Sequence, residues 1–170
     1  MFELTGRIEA DPTTYPVTET ELRSHLRLSG EEAVADFISA ASYAVENYIN
    51  QYASVREVTL KFVGSGMDIV IPARPVSSVK SIKIDNVTMS SGYTLKAGLV
   101  NQIIFDSYQS GEIELVLNVA MSPVPASVKM AIKMLAADLY EHRESQAEST
   151  LTENKSFKFA LDPHRHHEVY

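Results

Sequence analysis

Apolar residues recur at two different periods along the chain, and the change of period divides it. Val34, Phe37, Ile38, Ala41, Val45, Tyr48, Ile49 and Tyr52 keep the i, i+3, i+4, i+7 spacing that lines one face of a helix. A helix over 30–52 follows, with Ser29-Gly30-Glu31-Glu32 as a capping arrangement at its start. A shorter one is expected over 17–28, because Thr18-Glu19-Thr20-Glu21 has capping-box spacing and Leu22, Leu26 and Leu28 follow it. From Val55 the period falls to two. Val58, Leu60 and Phe62 alternate with polar neighbours, Gly64-Ser65-Gly66 reads as a hairpin turn, and Asp68 to Pro72 reads as a second short strand. Val76–Ile84, Tyr93–Leu95, Gln102–Phe105 and Glu112–Val119 continue the β pattern to about residue 120. Pro125 then opens a third helix over 125–145, because proline suits a first helical turn.

That last helix carries Val128, Ile132, Leu135, Ala136 and Leu139 on one face, and Met130, Met134 and Tyr140 widen the stripe. A buried core helix explains most of it. A helix packed both on its own domain and on a neighbouring subunit explains the extra width. The expected fold class is therefore α+β and mainly helical: a small bundle of about three main helices, an inserted antiparallel β element, and an extended C-terminal tail. The divisions are an N-terminal arm at 1–16, a connector domain at 17–145 with its β insertion at 55–120, and a linker and tail at 146–170. In that tail Phe157, Phe159 and Leu161 alternate with Lys158 and Ala160, a strand-like pattern with no neighbouring partner.

Composition sharpens this in three places. The 170 residues contain no cysteine, which excludes disulfides and thiolate metal sites. No apolar run approaches the roughly 20 residues that span a bilayer, and the mixed, acidic N-terminus does not read as a signal peptide, so no membrane partner is expected. Formal net charge is −7, but residues 155–170 hold three of the 15 Lys and Arg and only two of the 22 Asp and Glu. The body is acidic, which disfavours tight binding to a phosphate backbone.

Catalytic chemistry finds no foothold. Glu141-His142-Arg143-Glu144 sets acid, base and cation side by side, but adjacent helical residues point in different directions. His25 is a lone helical histidine, and no serine sits in a nucleophile-elbow sequence. His164, His166 and His167 are the one cluster with metal-ligand character. Structural sites draw ligands from two segments, so this run reads as a solvated or interface tail. No enzyme, cofactor or metal is expected.

The order of pieces is informative as a whole. Tyr15-Pro16-Val17-Thr18 leads to Ser24-His25-Leu26-Arg27-Leu28, then Ala40-Ala41-Ser42-Tyr43-Ala44-Val45-Glu46-Asn47-Tyr48. Ile71-Pro72-Ala73-Arg74-Pro75-Val76, the Val124-Pro125 helix start, Leu139-Tyr140-Glu141-His142-Arg143-Glu144 and Ala160-Leu161-Asp162-Pro163-His164-Arg165 follow. In this order the chain resembles the head–tail connector (adaptor, or head completion) family of tailed bacteriophages. It departs from the family in lacking tryptophan and in having Asn118-Val119-Ala120-Met121 before Pro123.

The resemblance implies a ring, commonly of twelve subunits, that sits beneath the portal, joins capsid to tail and lets DNA pass. Implied partners are the portal, further copies of the chain, a downstream stopper or tail protein, and genomic DNA bound without sequence specificity. Phe157, Phe159, Leu161, Asp162 and Arg165 would dock on the portal. Tyr43, Tyr48, Met130, Met134, Tyr140 and Arg143 are candidates for subunit contacts. The alternatives are a tail-terminator or stopper ring and, from another class, a ligand- or carbohydrate-binding module.

Overall fold

The computed structural model describes residues 1–30, 32–98, 100–141 and 155–166. The chain divides into two compact units: residues 1–14 with 54–122, and residues 15–53 with 123–170.

The first unit is a sheet. Strands β1 (Phe2–Glu9), β2 (Arg56–Ile71), β3 (Val76–Ile84), β4 (Val87–Met89), β5 (Tyr93–Lys96) and β6 (Asn101–Val119) pair antiparallel throughout. Their order is β1-β2-β6-β3-β4, with β5 also on β6. The register places Val58 opposite Leu117, Leu60 opposite Leu115 and Phe62 opposite Ile113, with Ile82 beside Leu115. These side chains share one face and are almost wholly buried. At about 1.5–3 kcal/mol for each large aliphatic side chain, this row is a main source of the unit's stability. The opposite face carries charged pairs, Lys83 with Glu114 at 2.9 Å and Lys80 with Glu57. Lys83's hydrogen bond, followed by its charge, holds the Glu114 carboxyl below its usual value.

Gly64-Ser65-Gly66 is not a hairpin turn. It lies inside β2, and Gly64 pairs with Gly111 of β6. Both have positive φ, 144° and 118°. A Cβ on Gly64 would come within 2.4 Å of the Met1 carbonyl, and one on Gly111 within 2.4 Å of the Asp85 carboxylate. Glycine here lets other groups approach the two longest strands closely without ending either.

The second unit is helical: α1 (Glu19–Leu26), α2 (Ala35–Ile49), α3 (Ala126–Glu141) and α4 (Lys155–Leu161), with a 3-10 turn at Asp162–His164. The capping box forms at α1. Glu21 N–H donates to Thr18 Oγ1 at 3.2 Å, and Thr18 N–H donates to Glu21 Oε2 at 2.8 Å. Helix α2 begins at Ala35, with Val34 as an N-cap lacking a side-chain bond, and ends at Asn50 in the left-handed region that asparagine tolerates. Ile38, Ala41, Val45 and Ile49 of α2 are buried, as are Val128, Ala131, Ile132 and Ala136 of α3. The alanines on these faces leave room for α2 and α3 to pack on each other.

Two expectations about fold class are corrected. Among the described residues there are six strands and four α-helices, so the chain is α+β with the sheet dominant and not mainly helical. Reading Gly64-Ser65-Gly66 as a turn broke β2, of 16 residues, and stopping at Phe105 to resume at Glu112 broke β6, of 19 residues. Nor is the C-terminal segment extended, since residues 155–161 form α4. In a helix Phe157 and Leu161 share a face at i, i+4 while Phe159 points elsewhere. Burying that pair favours helix over the strand-like alternation.

A candidate assembly surface around Tyr48

Helix α2 presents Tyr48, half-buried, at the edge of its buried stripe, and the C-terminal segment gathers around it. Tyr48 Oη donates to Asp162 Oδ1 at 2.6 Å. The Phe157 ring lies 5.9 Å from the Tyr48 ring at an interplanar angle of 58°. The Arg165 guanidinium sits over the Tyr48 ring, 5.3 Å from its centroid, a cation–π arrangement worth about 0.5–1 kcal/mol at an exposed site. The bond to Asp162 favours the neutral phenol. With desolvation and the carboxylate's charge, it raises Tyr48 above its ordinary pKa of 10.0.

One helical turn further on, backbone groups extend the contact. Gln51 Nε2 donates to the His164 carbonyl at 2.6 Å, and His166 N–H donates to the Ile49 carbonyl at 2.8 Å. The latter satisfies one of the carbonyls that a helix end leaves open. His164 Nε2 and Ser127 Oγ are 2.6 Å apart, which ties the 3-10 turn to the start of α3. Leu161 is wholly buried.

Of the five tail residues singled out from sequence, Phe157, Leu161, Asp162 and Arg165 thus face their own helical unit. Phe159 is 84% exposed. Sequence reasoning missed the receiving side: Gln51, Ser127 and the Ile49 carbonyl. Nothing local marks them, because their roles follow from contacts with residues distant in sequence. His164 and His166 are bound to protein groups, and His167 lies outside the described residues.

The subunit-contact candidates separate in the same way. Tyr140 Oη donates to Glu32 Oε2, and its ring meets Phe37 edge-on at 5.6 Å. Tyr43 and Met134 are half-buried, and Met130 is 48% exposed. Arg143 lies outside the described residues. The acidic face of α1 meets α3 where Lys133 Nζ stands 4.0 Å from Glu21. Among the described residues no arrangement is set up for covalent chemistry. What is built is a set of packing, ring and hydrogen-bond contacts within the helical unit.

Comparison with known proteins decides what kind of docking protein this is. The model of one family, head completion protein, matches residues 17–160. The chain belongs to the head completion protein family. It is accordingly a structural protein that joins head and tail in phage-like particles, and not an enzyme. No curated protein sequence matches it. Solved structures do share its fold. A chain from the neck of an empty GTA particle, computed with C6 symmetry, superposes with a TM-score of 0.75 at 18% identity, covering 100% of this head completion protein and 97% of its counterpart. A chain from the virion of a native gene transfer agent (GTA) particle gives 0.77 at 20% identity, covering 96% and 97%. One from the neck of a native GTA particle, computed with C12 symmetry, gives 0.74 at 20% identity, covering 100% and 97%.

Proposed function

We propose that this head completion protein forms a ring in the neck of a phage-like particle, directly beneath the portal. The family match over residues 17–160 carries the reading, and the full-length likeness to chains of GTA-particle necks computed with C6 and C12 symmetry supports it. A closed ring needs two different, complementary surfaces on each subunit. Met130, with Met134 on the same helix, offers exposed apolar area for one of them, and Tyr43, Tyr140 and Arg143 are the further contact residues of this reading.

The C-terminal segment supplies the portal contact through Phe157, Phe159, Leu161, Asp162 and Arg165. Repetition around a ring raises the effective concentration of each anchor, so contacts of modest strength hold the joint. The face away from the portal receives the next stopper or tail protein. DNA passes through the lumen without sequence-specific binding, and the acidic body favours sliding over sticking.

Electron microscopy of particles carrying a tagged chain tests the placement. Density between portal and tail supports the adaptor reading. Density at the end of the tail tube, or separated from the portal by another ring, supports the terminator or stopper alternative and overturns it.

A further inference from the structure

The C-terminal segment obeys two periodicities at once. In α4 Phe157 and Leu161 lie on one face, against the helical unit, and Phe159 is left 84% exposed. In an extended chain Phe157, Phe159 and Leu161 would all lie on one face, since alternate residues share a side. The helical form therefore leaves in water a phenyl ring that the extended form would use. Helix α4 is also only 7 residues long, below the length at which a helix persists without tertiary support. Its support is α3 together with the Tyr48 surface of α2. The holding bonds, Tyr48 to Asp162 and Gln51 to the His164 carbonyl, lie at exposed or partly buried positions where water replaces them readily.

We propose that α4 and its 3-10 turn are a latch, parked as a helix on α2 and α3 and released as an extended strand when the segment docks on the portal. This rests on the reading that the segment is the portal contact. Phe157, Leu161, Asp162 and Arg165 cannot serve α2 and the portal together, so parking competes with docking. The measured affinity is then the intrinsic one reduced by the fraction of chains with the latch open. The released segment suits an apolar sheet edge, where backbone bonds give affinity and alternate side chains give specificity. Parking also keeps Phe157 and Leu161 covered until the portal is present.

The test uses the full chain and purified portal. Tyr48→Phe, Tyr48→Ala and Gln51→Ala loosen the receiving side without altering the segment. In the free protein they should speed amide exchange over 157–166, and portal binding should tighten about 3–10-fold, as expected when a mostly closed latch opens. Phe159→Ala should leave that exchange unchanged and weaken portal binding at least about tenfold, the scale of a buried aromatic anchor. Carbonyl labels at Phe157 and Phe159 should shift from helical to extended values on binding.

Unchanged or weaker binding in all three α2 variants overturns the latch, as does a portal-bound segment that stays helical. If deleting residues 155–170 leaves portal binding intact, it is the docking reading that fails. If deletion abolishes binding while the α2 variants bind no tighter, the docking reading stands and the latch alone falls.

Discussion

Tyr48 on α2 and Asp162 in the terminal 3-10 turn, 114 residues apart in sequence, are joined by a 2.6 Å hydrogen bond. The bond needs the phenol protonated, and it raises Tyr48 above its ordinary pKa of 10.0. For a raised pKa the stabilisation is fully present below the unfolded value and is lost as pH rises through the folded one. Protection of residues 157–166 from amide exchange, corrected for the intrinsic pH dependence, should therefore hold through neutral pH and collapse in alkali beyond pH 10. In Tyr48→Phe the protection should be lower throughout and lack that alkaline step. A step of the same size in the variant would assign the transition to another group.

The capping box of α1 makes the opposite prediction in acid. The Thr18 backbone N–H is the main reason that the Glu21 carboxyl titrates below its ordinary value, with the Lys133 and Lys129 charges and the Thr18 hydroxyl adding to it. For a lowered pKa the stabilisation is present above the unfolded value, 4.5 for this group, and disappears as pH falls through the folded one. Urea denaturation should find Glu21→Gln less stable than the parent at pH 7 and equal to it well below pH 4.5. Thr18→Ala should cost about 1 kcal/mol, the ordinary value of an N-cap side chain.

Gly111 tests the account of the long strands. Its φ is 118°, and an added Cβ would meet both Asp85 carboxylate oxygens. That carboxylate already accepts a bond from Glu112 N–H at 2.9 Å, so it has reason to stay. Gly111→Ala should destabilise by about 1–3 kcal/mol through backbone strain and the clash. The same change in an Asp85→Ala background should cost less, because only the strain remains. Equal costs in the two backgrounds, measured by chemical denaturation, would remove the carboxylate from the explanation.

These cases show what the sequence exposes. Thr18 to Glu21 was legible because every group in a capping box lies within four residues. The buried stripes of α2 and α3 were legible because a 3.6-residue period repeats over several turns. Gly64 was misread because local signals cannot distinguish a glycine that ends a strand from one that admits a neighbour to it. The segment 157–161 was misread because its alternation favours a strand, while the Tyr48 surface that makes it a helix lies elsewhere in the sequence. The family order was visible. The receiving residues Gln51 and Ser127 were not, since only tertiary pairing gives them a role.

Met130 separates assembly from folding. At 48% exposure it contributes little to its own unit. Met130→Glu should leave the denaturation midpoint within about 0.5 kcal/mol of the parent, as for surface substitutions generally. It should also prevent ring formation, by setting a charge into an apolar subunit contact. Rings formed by the variant under the conditions that assemble the parent would move the contact away from this face of α3.

Native mass of the chain mixed with purified portal tests the central claim most directly. A ring of this protein seated on the portal is predicted, with mass equal to the portal assembly plus a symmetric set of chains, and deletion of residues 155–170 should abolish it. A mixture that keeps only the separate masses, or a complex that forms equally well without those residues, would contradict it.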